Sequence, residues 1–315
     1  SKYVRKTPLL CIEAKQSTLV GSLGLERLYL KLENLQVHGS YKIRGIVNFL
    51  EPYKQEKKQD QDSQFISMSA GNFGRSFSFM CQQYSIPLTL CMPDNVPKQR
   101  IDVCQTQHGA KVVLAPRASL QERCNALIDL SPSLRYVHPF DTLEIIQGYG
   151  SLASEILQQL KKVEVAHRPQ YVIAGVGGGG MLAGLAVGFD ALCEDAPTLV
   201  GVEPFGADSM YQSLIKGEAV KLEKITTMVN GLSPPFAGSN CLECLQNAKK
   251  LQEIARVEDH QVKEAMRILF EEFHLVVESA GAAAFAALIN KQCDIKGAKN
   301  VCVVVSGGNV DFEEF

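Results

Sequence analysis

Along this chain, short apolar runs alternate with longer segments in which apolar residues recur every three or four positions. The runs QFISMSA, PLTLCMP, AKVVLAP, RYVHP, QYVIAGV, TLVGVEP and NVCVVVSGG are bounded by Gly, Pro, Ser or Gln and predict strands, most of them buried on both faces. ERLYLKLEN opens the series as a further strand. Between them, GRSFSFMCQQYS, QRIDVCQTQH, LQERCNALIDL and YGSLASEILQQLKK carry the spacing of amphipathic helices. Strand and helix in regular succession predict βαβ units, hence an α/β fold of parallel sheets flanked by helices.

Two interruptions suggest two lobes. The polar run YKQEKKQDQDSQ, Tyr53 to Gln64, has the composition of a connector. A second crossing falls near HPFDTLEII. Together they predict a discontinuous large domain, 1–53 and 144–315, and a small mobile domain, 54–143. No repeat of about 20–50 residues is visible, so a solenoid is not expected.

Charge removes two classes of partner. With 32 basic against 34 acidic residues the formal net charge is −2, which offers no footprint for nucleic acid or an anionic membrane. No apolar run approaches the ~20 residues that span a bilayer. SKYVRKTPLL lacks an apolar signal core, and a chain opening on Ser1 leaves room for a trimmed leader. The ten cysteines lie mostly in apolar stretches without regular spacing, as reduced thiols do in a cytoplasmic protein. Cys241 and Cys244 form one Cys-x-x-Cys, without the second pair of a zinc ribbon or the setting of a redox motif, so no chemistry is assigned to them.

Four stretches carry candidate chemistry. VIAGVGGGGMLAG sets Gly177, Gly178, Gly179 and Gly180 after a strand and before a helix, where backbone N–H groups and the helix dipole favour a phosphate. The spacing is neither a Walker loop nor a clean dinucleotide fingerprint, and a tight turn is the plainer alternative. In SMSAGNFGR, the loop from Ser69 to Asn72 is either an anion nest or a helix N-cap. VCVVVSGGN ends a buried strand in Ser306, where a hydroxyl can meet a ring nitrogen, although the same residues make an ordinary turn. HGSYKIRG holds Lys42, which taken alone is a solvated amine. A lysine, a phosphate seat, an anion nest and a hydroxyl at a strand end together match the needs of pyridoxal phosphate.

In these motifs the chain resembles the fold-type II pyridoxal-phosphate enzymes, in particular the serine/threonine dehydratase and serine racemase group. SYKIRG, SAGN, GGGGMLAG and SGGN follow the family's order across nearly the whole length. Ile43, after the lysine, argues against the cysteine synthase branch. The resemblance implies that Lys42 bonds the cofactor aldehyde, with Tyr41 beside the ring. It also implies Asn72 at the ring hydroxyl, Gly177 to Gly180 and Met181 at the phosphate, and Ser306 at the pyridine nitrogen. Gly231 is expected against the other ring face and Glu278 near the cofactor edge. Substrate would meet Ser69, Ala70, Gly71 and Asn72.

Ala70 points to elimination. A racemase needs an acid/base group on each face of the α-carbon, and family racemases carry serine in this slot; a methyl group delivers no proton. Phe73 stands where many relatives have histidine, and Tyr41 replaces the usual phenylalanine, two changes able to reshape the pocket. The family's cation site falls on Glu203, Ala207 and Ser209; serine rather than aspartate at 209 lowers its charge and suits K⁺ better than Mg²⁺ or Ca²⁺. The expected activity is a dehydratase acting on L-serine, L-threonine or both, as a cytoplasmic homodimer. The alternatives are a serine racemase with side elimination, a catalytically silent pyridoxal-phosphate-binding homologue, or a nucleotide module without the cofactor. No regulatory domain follows the terminal strand in this sequence, so allosteric control of the long biosynthetic kind is not expected.

Overall fold

The computed structural model describes residues 2–55, 64–131 and 133–310. Ser1 and the centre of the polar run, 56–63, lie outside the described residues. The apolar runs become strands β1 (Leu9–Glu13), β2 (Arg27–Leu32), β3 (Gln64–Met68), β4 (Leu88–Pro93), β5 (Lys111–Ala115), β6 (Leu134–Tyr136), β7 (Tyr171–Gly175), β8 (Thr198–Pro204), β9 (Leu251–Val257) and β10 (Asn300–Val305). They form a six-stranded sheet in the order β1-β2-β10-β7-β8-β9 and a four-stranded sheet in the order β5-β4-β3-β6.

Every pairing of these strands is parallel except β1 with β2. The parallel α/β expectation is borne out, with an antiparallel edge strand added. β1 and β9 are not among the predicted strands; their positions are largely exposed or half-buried, whereas β7 and β10 are buried at every residue.

Helices cover both faces of the larger sheet. Ile146, Leu152 and Ile156 of the Leu143–Leu160 helix pack with Leu182, Leu185 and Phe189 of the Gly180–Leu192 helix against one face. Ala282 and Phe285 of the Ser279–Ile289 helix join Ile173, Val200 and Val303 on the other. The Lys42–Gln55 helix puts Ile43, Ile46 and Leu50 at the three-to-four spacing of a buried stripe, among Phe65, Phe77 and Leu90 of the smaller sheet's core. Each such side chain contributes about 1.5–3 kcal/mol on burial. The helix that begins with Lys42 is thereby wedged against the smaller sheet while its first turn faces the larger one.

Candidate active site

β2, β10 and β7 are neighbours that run the same way, so their carboxyl ends lie side by side. The chain leaves β2 into SYKIRG, β10 into SGGN and β7 into the glycine run. Ligands of open α/β sheets bind at such ends. Backbone hydrogen bonds join the first two motifs: the Tyr41 N–H donates to the Ser306 carbonyl at 3.2 Å, and the Gly308 N–H to the Gly39 carbonyl at 2.9 Å. Asn309 Nδ2 adds a bond of 2.8 Å to the His38 carbonyl. Both His38 and Gly39 take positive φ, 60° and 72°, and a Cβ on Gly39 would lie 2.5 Å from Asn309 Oδ1. The lysine loop is therefore bent sharply and locked to the last strand.

Lys42 is the first residue of its helix and is half-buried. Its Nζ lies 4.8 Å from the Tyr41 ring centre and 5.7 Å from that of Tyr149. An amine between two aromatic faces is not a free surface charge.

The SAGN loop follows β3 in the smaller sheet. Ser69 Oγ accepts the Gly74 N–H at 3.0 Å, which satisfies one donor in the first turn of the Asn72–Tyr84 helix, whose N-cap is Gly71. A Cβ on Gly71 would meet nothing within 4 Å, so the loop borders open space and leaves room for a ligand. Asn72 Nδ2 donates to Glu278 Oε1 at 2.5 Å, and its Oδ1 accepts Asn309 Nδ2 at 2.8 Å. These side chains tie the smaller sheet's loop to the larger sheet's site. Ala70 is half-buried beside the same core cluster that takes in Phe73, whose ring turns to Phe77 at 5.2 Å. Phe73 thus belongs to the core.

The glycine run has the shape of an anion seat. Gly179, at φ 103°, sits at the N-cap of the Gly180–Leu192 helix with no side-chain cap, and no acidic residue occupies the first turn. A Cβ on Gly178 would overlap the Phe140 ring, and one on Gly180 would lie 2.7 Å from the Phe140 carbonyl. A cradle this tight, with uncapped N–H groups, fits a phosphate. Met181 packs its side chain into the core and has only its backbone to offer the loop. Gly231 lies against Gly177 and Ala280, and Ser306 Oγ donates to the Ala280 carbonyl at 3.3 Å. Ser306 and Gly231 therefore share Ala280 as a neighbour.

Residues that the pattern hid complete the surroundings. Tyr149, on the Leu143–Leu160 helix, is fully buried, and its hydroxyl has no partner among the described residues. His138 Nδ1 accepts the Asp141 N–H at 3.1 Å, which orders the turn that sets Phe140 against Gly178. Burial pushes His138 below the usual histidine range, with Asp141 opposing and Lys42 reinforcing. In the sequence Tyr149 opens an amphipathic helix pattern, and His138 falls in the stretch of a domain crossing.

Glu203 lies near the end of β8, and Ala207 and Ser209 lie in the turn and helix that follow it. Glu203 is fully buried and receives the Met210 and Tyr211 N–H groups at 2.9 and 2.8 Å. Burial nevertheless pushes it up to about 8, although those bonds and Arg256 act in the opposite direction. Ser209 Oγ is buried without a partner among the described residues, and Ala207 is buried beside it. An orphaned hydroxyl near a carboxylate short of positive charge fits a cation of low charge. Among the described residues no group of three His, Cys, Asp or Glu is placed to hold a metal.

A half-buried lysine beside an uncapped, glycine-built helix start on an α/β scaffold defines an enzyme that holds a phosphorylated carbonyl cofactor. The chain belongs to the pyridoxal-phosphate dependent enzyme family, whose model matches residues 1–307. It is 33% identical over 304 residues to an L-threonine ammonia-lyase of Thermotoga maritima, covering 94% of this chain and 70% of that one. It is 29% identical over 324 residues to a serine racemase of Dictyostelium discoideum, covering 98% and 91%. The crystal structure of that racemase superposes with a TM-score of 0.83 at 28% identity, covering 99% of this chain and 95% of the other. The crystal structure of a threonine deaminase of T.th. gives 0.84 at 30% identity, with the same coverages.

Proposed function

We propose that the chain is a pyridoxal-phosphate-dependent ammonia-lyase that converts L-serine, L-threonine or both to the 2-oxo acid and ammonia. The observation that carries this reading is the pairing of Lys42, an amine able to take a proton, with Ala70, a methyl group unable to return one. Relatives bearing the name threonine ammonia-lyase support it.

When bound, the cofactor supplies an aldehyde for the substrate amine and a ring that draws electrons from the α-carbon. The chain's residues do the rest. Lys42 would hold the cofactor by its aldehyde carbon and would take the α-proton. Tyr41 and Tyr149 keep water from that amine. The Ser69 to Asn72 loop receives the substrate carboxylate, and Gly177 to Gly180 with the Met181 backbone hold the phosphate. Asn72, Glu278 and Gly231 would hold the cofactor ring. Ser306 offers the ring nitrogen a neutral partner, which suits loss of the β-hydroxyl as the proton leaves.

K⁺ bound through Glu203, Ala207 and Ser209 belongs to the same reading, supported by the orphaned Ser209 hydroxyl. So does a small domain, 54–143, that moves over the site. All ten cysteines are free, which supports a reducing compartment such as the cytoplasm, and no described helix is long and apolar enough to cross a membrane. A homodimer is the assembly we propose.

The deciding assay is formation of 2-oxo acid and ammonia from L-serine and L-threonine. Lys42→Ala is expected to abolish turnover and borohydride labelling of the protein; turnover that survives it removes the lysine's role. The second reading, a racemase with side elimination, draws on the Dictyostelium relative. Chiral analysis of recovered serine separates the two, and D-serine forming as fast as pyruvate would overturn the lyase assignment.

A further inference from the structure

Tyr149 occupies a space that three glycines create. A Cβ on Gly45, one turn after Lys42, would lie 2.6 Å from its ring. A Cβ on Gly180, at the start of the helix behind the glycine run, would lie 3.3 Å from the ring, and one on Gly184 would lie 2.6 Å from the Tyr149 Cβ. The ring is thus inserted between the helix that carries Lys42 and the helix that presents the anion seat. It stands 4.9 Å from the Tyr41 ring in an edge-on arrangement.

Filling this space does not require a hydroxyl. Phenylalanine would occupy it equally well, and a buried hydroxyl without a partner is destabilising. Buried phenols usually find a partner. The Tyr149 hydroxyl has none among the described residues and is fully sealed from solvent. Its polar neighbours are Tyr41, beside the lysine, and Cys241, whose side chain lies against Gly179. The ring that carries this hydroxyl therefore lies between the helix that starts at Lys42 and the helix behind the glycine run.

We infer that Tyr149 is a cofactor-binding residue whose hydroxyl donates to the phosphate of bound pyridoxal phosphate. The inference rests on the glycine run being the phosphate seat. Burial holds the phenol well above its ordinary range, so it remains a donor wherever the enzyme works. Neither the glycine run nor the aromatic pair at Lys42 accounts for this group without such an acceptor.

Tyr149→Phe removes the oxygen and keeps the ring. Cofactor dissociation from the holoenzyme, followed by its visible absorbance, is expected to give a Kd raised at least about tenfold, the size of one hydrogen bond to a charged acceptor. The cofactor-free variant is expected to melt at or above the wild-type temperature, because an unpaired hydroxyl has gone, while its gain in melting temperature on loading shrinks. With pyridoxal, which lacks the phosphate, wild type and variant should bind alike. Equal Kd values for pyridoxal phosphate, or equal losses of stability in loaded and cofactor-free forms, would overturn the inference and leave the glycine seat standing. A difference that persists with pyridoxal overturns the assignment to phosphate. A wild-type protein that does not load pyridoxal phosphate removes the seat itself.

Discussion

Arg44 grips Glu33 through two hydrogen bonds, Nε to Oε2 at 2.7 Å and Nη2 to Oε1 at 2.8 Å, with both side chains sealed from solvent. The same guanidinium reaches Glu155 from Nη1 and Nη2, each at 3.1 Å, and Lys31 Nζ meets Glu155 Oε1 at 2.5 Å. Two cations and two carboxylates cancel in the interior. Burial alone would raise the Glu155 carboxyl; Arg44 and Lys31 outweigh it and hold it below the usual carboxylate range. Because Arg44 is two residues past Lys42, this network fixes the start of the lysine's helix.

Arg44→Met leaves Glu33 as a buried charge without its partner. The expected cost is about 3–5 kcal/mol in the free energy of unfolding, measured by urea denaturation. Arg44→Lys should recover little, since an ammonium cannot form the paired fork. Adding Glu33→Met to Arg44→Met should recover part of the loss, the sign of a coupled pair rather than two separate contacts. A single-variant loss under about 1 kcal/mol would place the pair among exposed bridges instead.

Gly178→Ala puts a methyl group into the Phe140 ring and disturbs the turn behind the anion seat. Pyridoxal-phosphate occupancy, read from the visible absorbance after dialysis, is expected to drop at least tenfold. Phe140→Ala in the same chain clears the space and should restore part of it. Full occupancy in the single variant would show that the seat tolerates a Cβ.

Glu203 makes stability depend on pH in a defined direction. Its folded-state value, about 8, lies above the ordinary glutamate value, so the folded protein holds this proton more tightly than the unfolded chain. The contribution is complete below the ordinary carboxylate range and is lost as pH rises through about 8. Melting temperature between pH 5 and pH 9 should therefore fall more for the wild type than for Glu203→Gln. Added K⁺ should flatten the wild-type curve by supplying the charge that burial withholds, and should leave Glu203→Gln unchanged. Parallel curves for the two proteins would exclude Glu203 as the titrating group.

The motifs were legible because each joins a local backbone demand to a chemical one. Four consecutive glycines before a helix, and a lysine between aromatic and basic neighbours, are visible without coordinates. Tyr149 was not, because its spacing in YGSLASEILQQL is that of any core aromatic, and only the glycines facing it from distant parts of the chain give its position meaning. Glu33 and Glu155 were invisible for the same reason: pairing across 11 and 111 residues with Arg44 leaves no local trace. β9 escaped because Gln252, Glu253 and Arg256 break up its apolar residues.

By itself the sequence determined the α/β class and the chemical kinds present at the site, since hydrophobic period and glycine placement act through nearest neighbours along the chain. The tertiary structure alone decided that β2, β10 and β7 lie adjacent, that Asn72 crosses to Glu278 and Asn309, and that the Tyr149 ring enters between the lysine's helix and the glycine run's helix, its hydroxyl without a partner among the described residues. Those are relations between segments brought together by burial of apolar faces, and no local pattern encodes which segments will meet.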